Sequence, residues 1–259
     1  MSSALAENIV HCCFGSNDTA ITNDIPTVVD VYFAKTKEII SEYSWLEKYF
    51  DNRDKLMADK LHYDTDRYTY MLCHTLLNLF LSKKLNIGPS EIYIEYDKNN
   101  KPGLKADSLF FNISHTKEAF AFAISDHSKV GIDLEKVVRN VDFKSIINNL
   151  FSNEEREFIL ESPADSRNRF FLLWTRKEAF LKALGVGIIN NLKDVEVFRN
   201  VNHLKMKNFD YLTDYTTITD HFIYSFKLQN YFISLATPHT VTINLHEIDA
   251  GMLEILISN

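Results

Sequence analysis

Gly131-Ile132-Asp133-Leu134-Glu135 decides how the rest of the chain is read, because it sets two carboxylates two residues apart inside an apolar run. In a strand, residues i and i+2 share a face, so Asp133 and Glu135 project together while Ile132 and Leu134 turn into a core. Adjacent carboxylates repel unless positive charge lies between them, and a hard divalent cation such as Mg2+ is the usual partner near phosphates. A solvated edge strand has the same spacing, so the neighbouring segments must separate the two readings.

Upstream, short apolar runs at 109–113 and 119–125, parted by polar breaks, predict further strands. Before them, 98–103 is a polar turn, 91–96 a strand, and 64–85 a long helix carrying Leu72, Leu76, Leu79 and Phe80, stopped at Gly88-Pro89. The spacing predicts a strand at 27–34, a helix over 36–50 and a charged turn at 51–55. Residues 1–25 are small, polar and irregular, the pattern of an N-terminal extension.

Downstream, 143–151 predicts a helix, and Ser152-Asn153-Glu154-Glu155 has the S-x-x-E form of a capping box before another. A helix over 167–184 is stopped by Gly185 and Gly187. Runs at 195–198, 222–228, 231–236 and 241–245 have the β-branched and aromatic content of strands. The fold class is therefore α+β, with two similar-sized subdomains at 26–128 and 129–259, the second carrying the paired carboxylates.

With 46% hydrophobic residues over 259 positions, the chain can bury a large core or two modest ones. Its net charge of −7 argues against nucleic acid, which needs a basic surface. Cys12, Cys13 and Cys73 form neither a disulfide framework nor zinc-site spacing. No run approaches the ~18 apolar residues of a membrane span, and the N-terminus lacks signal-peptide form, so a cytoplasmic protein is expected.

Two further segments bear on the carboxylates. In Trp174 to Gly187, Glu178 and Lys182 stand four residues apart on a helix and share a face. A surface ion pair worth about 0.3–0.5 kcal/mol would explain those two residues but not the flanking pattern. In Phe111-Asn112-Ile113-Ser114-His115-Thr116, an apolar strand ends in three residues able to hydrogen-bond phosphate oxygens, although a lone histidine at a strand end is more often structural.

Taken together, these segments resemble the Sfp-type 4′-phosphopantetheinyl transferases, which load carrier proteins with the arm of coenzyme A. The family pattern N-x-S-H-[ST] matches Asn112 to Thr116, G-[IV]-D-x-E matches Gly131 to Glu135, and W-x-x-K-E-[AS]-x-x-K-x-x-G-x-G matches Trp174 to Gly187. The resemblance implies the 4′-phosphopantetheinyl transferase fold, two subdomains in pseudo-twofold arrangement, in a monomer. It implies that Asp133, Glu135 and Glu178 hold Mg2+, or Mn2+ in its place. It further implies that Lys182 and His115 contact phosphates of coenzyme A, that Ser114 lies at the same site, and that Lys101-Pro102 lies beside the adenine. Arg53, Lys55 and Arg67 fall where the family places cations for the 3′-phosphate. Two positions depart from the pattern: Asn100 replaces a glycine before Lys101, and Asn52 stands where some members have lysine.

The implied reaction is attack by a serine hydroxyl of an apo acyl or peptidyl carrier protein on the phosphorus bearing pantetheine, releasing 3′,5′-ADP. Glu178 is the candidate base and, with Lys182 and Asp133, forms the expected catalytic set. Trp174 and Phe180 suit a core, 143–157 is expected to contribute to carrier docking, and Lys177 has no role legible in the sequence. The alternatives are an inactive coenzyme A or carrier-protein binding module, an unrelated magnesium-dependent phosphotransferase, and a purely structural protein.

Overall fold

The computed structural model describes residues 27–42, 44–105, 108–187, 189, 191–198, 201–203 and 220–257. The N-terminal extension expected at 1–25 lies outside the described residues. The first half contains β1 (Thr27–Lys35), α1 (Thr36–Glu42), α2 (Asn52–Ala58), α3 (Asp64–Leu85), β2 (Ile94–Tyr96), β3 (Pro102–Leu104), β4 (Phe110–His115) and β5 (Ala119–Ser125). The second begins with β6 (Gly131–Lys136) and continues through α4 (Ile147–Leu150), α5 (Asn153–Glu161) and α6 (Ser166–Leu184). It closes with β7 (Val201–His203), β8 (Asp220–Leu228), β9 (Tyr231–Thr237), β10 (Val241–Glu247) and α7 (Ala250–Ile257).

The fold is α+β, built on two four-stranded sheets ordered β10-β1-β5-β4 and β6-β9-β8-β7. Alternation in β5 explains how they stack. Its Phe120, Phe122 and Ile124 face one way and join the α3 core with Leu72, Leu76 and Phe80. Ala119, Ala121 and Ala123 face the other way, into a core shared with Ile132 and Leu134 of β6 and Ile233 and Leu235 of β9. Small side chains on that face let the second sheet approach, while each buried phenylalanine on the other contributes roughly 1.5–3 kcal/mol. A third core, including Phe170, Phe171 and Phe180, fixes α6 on the second sheet.

Several elements differ from the sequence reading. β10 pairs in parallel with β1, from Thr27↔Val241 to Phe33↔Glu247, so the C-terminal strand returns to the first sheet instead of staying with the half in which the sequence places it. Asp51 to Lys55 is not a turn but the start of α2: the Asp51 carboxylate accepts the Arg53 N–H and caps the helix. The predicted helix over 36–50 divides into α1 and a 3-10 turn at Ser44–Tyr49. That over 143–151 similarly divides into a 3-10 turn at Phe143–Ser145 and α4. Residues 195–198 form no strand; Val195 and Val197 are instead buried against α6. The capping box at Ser152 and Glu155 is present as expected.

Candidate active site

Strand alternation turns Gly131, Asp133 and Glu135 toward α6. Gly131 permits the approach: a Cβ there would lie 2.1 Å from the Ala179 carbonyl oxygen and 2.2 Å from the Ala183 nitrogen. Glu178 and Lys182 project from consecutive turns of α6 into the same cleft. Lys182 Nζ lies 2.7 Å from Asp133 Oδ1 and 3.0 Å from Ser114 Oγ. Ser114 donates its hydroxyl to Asp133 Oδ1 at 2.9 Å and accepts the Leu134 N–H at 3.2 Å, so its hydrogen-bonding capacity is filled. Asn112 Oδ1 accepts the Ile132 N–H at 2.8 Å. Side chains of β4 thus take the place of a neighbouring strand along the edge of β6, joining the two sheets where the carboxylates emerge.

The cleft has a volume of about 1190 Å³. Burial pushes the Glu135 carboxyl up to about 7, helped by the charge of Asp133, while the Trp174 indole N–H, 3.1 Å from Glu135 Oε1, opposes the rise. Glu178 is raised by burial and by Asp133, with Lys182 opposing. His115 is lowered by burial, by His74 and by Lys182.

Arg53, Lys101, Pro102, Ser114, His115, Asp133, Glu135, Glu178 and Lys182 all line this cleft. Two expected residues do not. Lys55 is exposed on α2, outside the lining, and Arg67 is turned aside, donating to the Leu61 carbonyl and to Asp64 Oδ1, each at 2.8 Å. Lys101 reaches the lining, but its ammonium is bound to the carbonyls of Val130, Lys182 and Ala183.

The sequence reading missed the far wall. Tyr70, His74 and Asn78 of α3 line the cleft with Asp54 and Tyr96. His74 Nδ1 lies 3.3 Å from Asp54 Oδ1, and the Tyr70 and His74 rings stack with centroids 4.1 Å apart. The signal was present in the spacing of Tyr70, His74 and Asn78 at i, i+4 and i+8, which puts them on one face of α3. Lys177, without a role in the sequence, is wholly buried: it pairs with Glu155 Oε2 at 2.8 Å and donates to the Leu192 and Val195 carbonyls.

The carboxylates suit a hard cation. Asp133 Oδ2 is buried without a hydrogen-bond partner, and two neighbouring carboxyls are raised by Asp133, a repulsion that a cation relieves. As they stand, no three His, Cys, Asp or Glu side chains among the described residues are gathered closely enough to hold an ion. Lys182 instead supplies the positive charge at Asp133.

The stretch containing both β6 and α6 is where the chain is similar to known proteins. Residues 129–236 match the model of the 4′-phosphopantetheinyl transferase superfamily. The likeness to these transferases extends to individual proteins. The chain is 29% identical over 145 residues to the 4′-phosphopantetheinyl transferase HetI of Nostoc sp., covering 54% of this chain and 61% of that one. It is 37% identical over 125 residues to the transferase gsp of Aneurinibacillus migulanus, covering 48% and 51%. Against the transferase AcpT of Salmonella typhimurium it is 35% identical over 109 residues, covering 41% and 55%. The chain thus spans between 51% and 61% of the length of these transferases.

Proposed function

We propose that this protein transfers the 4′-phosphopantetheine arm of coenzyme A to a serine of an apo acyl or peptidyl carrier protein, releasing 3′,5′-ADP. The observation that carries this reading is the meeting of Asp133, Ser114 and Lys182, from three elements, in a cleft that Glu135 and Glu178 also line. Asp133, Glu135 and Glu178 would hold Mg2+ or Mn2+, which when bound neutralises pyrophosphate charge and orients the phosphorus for attack. Lys182 and His115 face the phosphates, the first as a cation and the second as a donor where negative charge moves onto the leaving group. Glu178 accepts the serine proton. Its raised pKa suits a base better than an ordinary carboxylate would. The serine oxygen bonds to the phosphorus bearing pantetheine, the bridging P–O bond breaks, and its electron pair leaves on 3′,5′-ADP.

The aromatic and polar wall around Tyr70, His74 and Tyr96 receives the nucleotide end, with Arg53 and Pro102 at its border. Residues 26–128 and 129–259, the second lending β10 to the sheet of the first, act as the two parts of one monomeric cytoplasmic enzyme that binds no nucleic acid. Among the described residues, no helix is long and apolar enough to cross a membrane.

The test is the intact mass of an apo carrier protein incubated with this protein, coenzyme A and Mg2+. One added phosphopantetheine is expected, lost on chelation and in Asp133→Ala and Glu178→Ala. Coenzyme A binding without a mass gain on any carrier type would replace the transferase reading with that of a binding module.

A further inference from the structure

Lys101 stands on the turn between β2 and β3, in the first half of the chain, yet its ammonium is embedded in the second. Nζ donates to the carbonyls of Lys182 at 2.5 Å, Ala183 at 3.2 Å and Val130 at 3.2 Å. The first two belong to the last turn of α6, where carbonyls lack an i+4 partner and the helix dipole is negative; the Gly185 N–H reaches Lys182 O only at 3.2 Å. The third immediately precedes β6. One cation therefore bridges the end of the helix bearing Glu178 and Lys182 and the start of the strand bearing Asp133 and Glu135.

The turn is built to present it. Asp97 Oδ1 accepts the backbone N–H groups of Asn99 and Lys101 at 2.8 and 2.9 Å, and Asn100 adopts a left-handed φ of 61°. Asn99 Nδ2 adds a bond of 2.6 Å to the Gly185 carbonyl, just beyond α6. Burial lowers Lys101 to about 8, with Lys129 adding to the fall and Asp97 opposing it. An ammonium with three carbonyl acceptors has its three protons engaged, leaving none for a phosphate.

We propose that Lys101 is a positioning residue: its ammonium clamps the C-terminus of α6 to the start of β6 and so sets the separation of Glu178 and Lys182 from Asp133. This rests on the transferase reading for its catalytic consequence, but the clamp itself is a property of the fold. Gly131, whose missing Cβ allows the same junction to close, shows how near α6 comes to β6 there, since a Cβ would lie 2.1 Å from the Ala179 carbonyl oxygen. The clamp also couples the nucleotide wall, to which the turn belongs, to the carboxylate wall.

Amide hydrogen exchange on the full-length protein, wild type against Lys101→Met, tests the clamp without an assay of transfer. Amides at 181–187 are expected to exchange about tenfold faster in the variant while those of α3 are unchanged. In the transfer assay kcat falls, and the KM for coenzyme A changes less than about twofold. Asn99→Ala, a milder change at an exposed site, shows the same pattern more weakly and keeps the result readable if Lys101→Met does not fold. Unchanged exchange at 181–187 in the folded variants would overturn the proposal. So would a KM for coenzyme A that rises while that for 3′-dephospho-coenzyme A does not, because Lys101 would then be a phosphate ligand. Wild-type protein that transfers nothing would count against the transferase reading alone, with the exchange result still deciding the clamp.

Discussion

Lys177 and Lys182 lie five residues apart on α6, and the helix gives them opposite tasks. Five residues advance a helix by about 500°, so their side chains point about 140° apart. Lys177 turns into the protein, with no solvent exposure, and binds Glu155 and two carbonyls of the segment leading to Val195. Glu155 Oε1 also accepts the Val197 N–H at 2.9 Å, so this ion pair fastens 192–197 to α5 and α6. Lys182 turns into the cleft, where its side chain remains 30% exposed, beside Asp133 and Ser114. A single motif therefore contains one cation that builds the fold and another that faces the cleft.

The largest effect expected from this contrast is on stability. Lys177→Met leaves a fully buried Glu155 without its counter-charge and should lower the unfolding free energy by about 3–5 kcal/mol, measured by denaturant titration. Adding Glu155→Leu should recover part of the loss. A single-variant cost below about 1 kcal/mol would break the comparison, since Lys177 would then behave as a surface cation.

Lys182→Gln should do the reverse. Transfer should fall about 100-fold, equivalent to about 2.7 kcal/mol in the transition state, with a stability loss less than half that of Lys177→Met. Equal destabilisation by the two variants would show that the faces do not divide the work. The smallest effect sharpens the boundary between them. Trp174→Phe keeps a ring beside Phe170 but removes the indole donor to Glu135, and should cost transfer only a few-fold, about 0.5–1.5 kcal/mol, in steady-state kinetics.

Much of this architecture was legible locally. The 3.6-residue period over 64–85 gave α3 its full length, and two-residue alternation put Asp133 and Glu135 on one face. The S-x-x-E pattern marked the start of α5, and four-residue spacing placed Glu178 and Lys182 together. Each of these signals relates residues within two turns of helix or one strand. The reading of Asp51 to Lys55 as a turn failed because a dense charge pattern also fits a capped helix start, and only the position of the Asp51 carboxylate separates them.

The sequence by itself determined most of the elements and which carboxylates and cations share a face, because backbone periodicity and side-chain type are properties of neighbouring positions. Only the tertiary structure decided which cations face the cleft. Arg67 was diverted to Leu61 and Asp64, Lys177 was sealed beside Glu155, and Lys101 was captured by three carbonyls. It also returned β10 to β1 and brought Asn112 and Ser114 onto the edge of β6. Apart from Arg67, whose partners lie three and six residues away, these outcomes depend on backbone groups and charges distant in sequence, where the cost of leaving a buried donor or acceptor unpaired selects the partner.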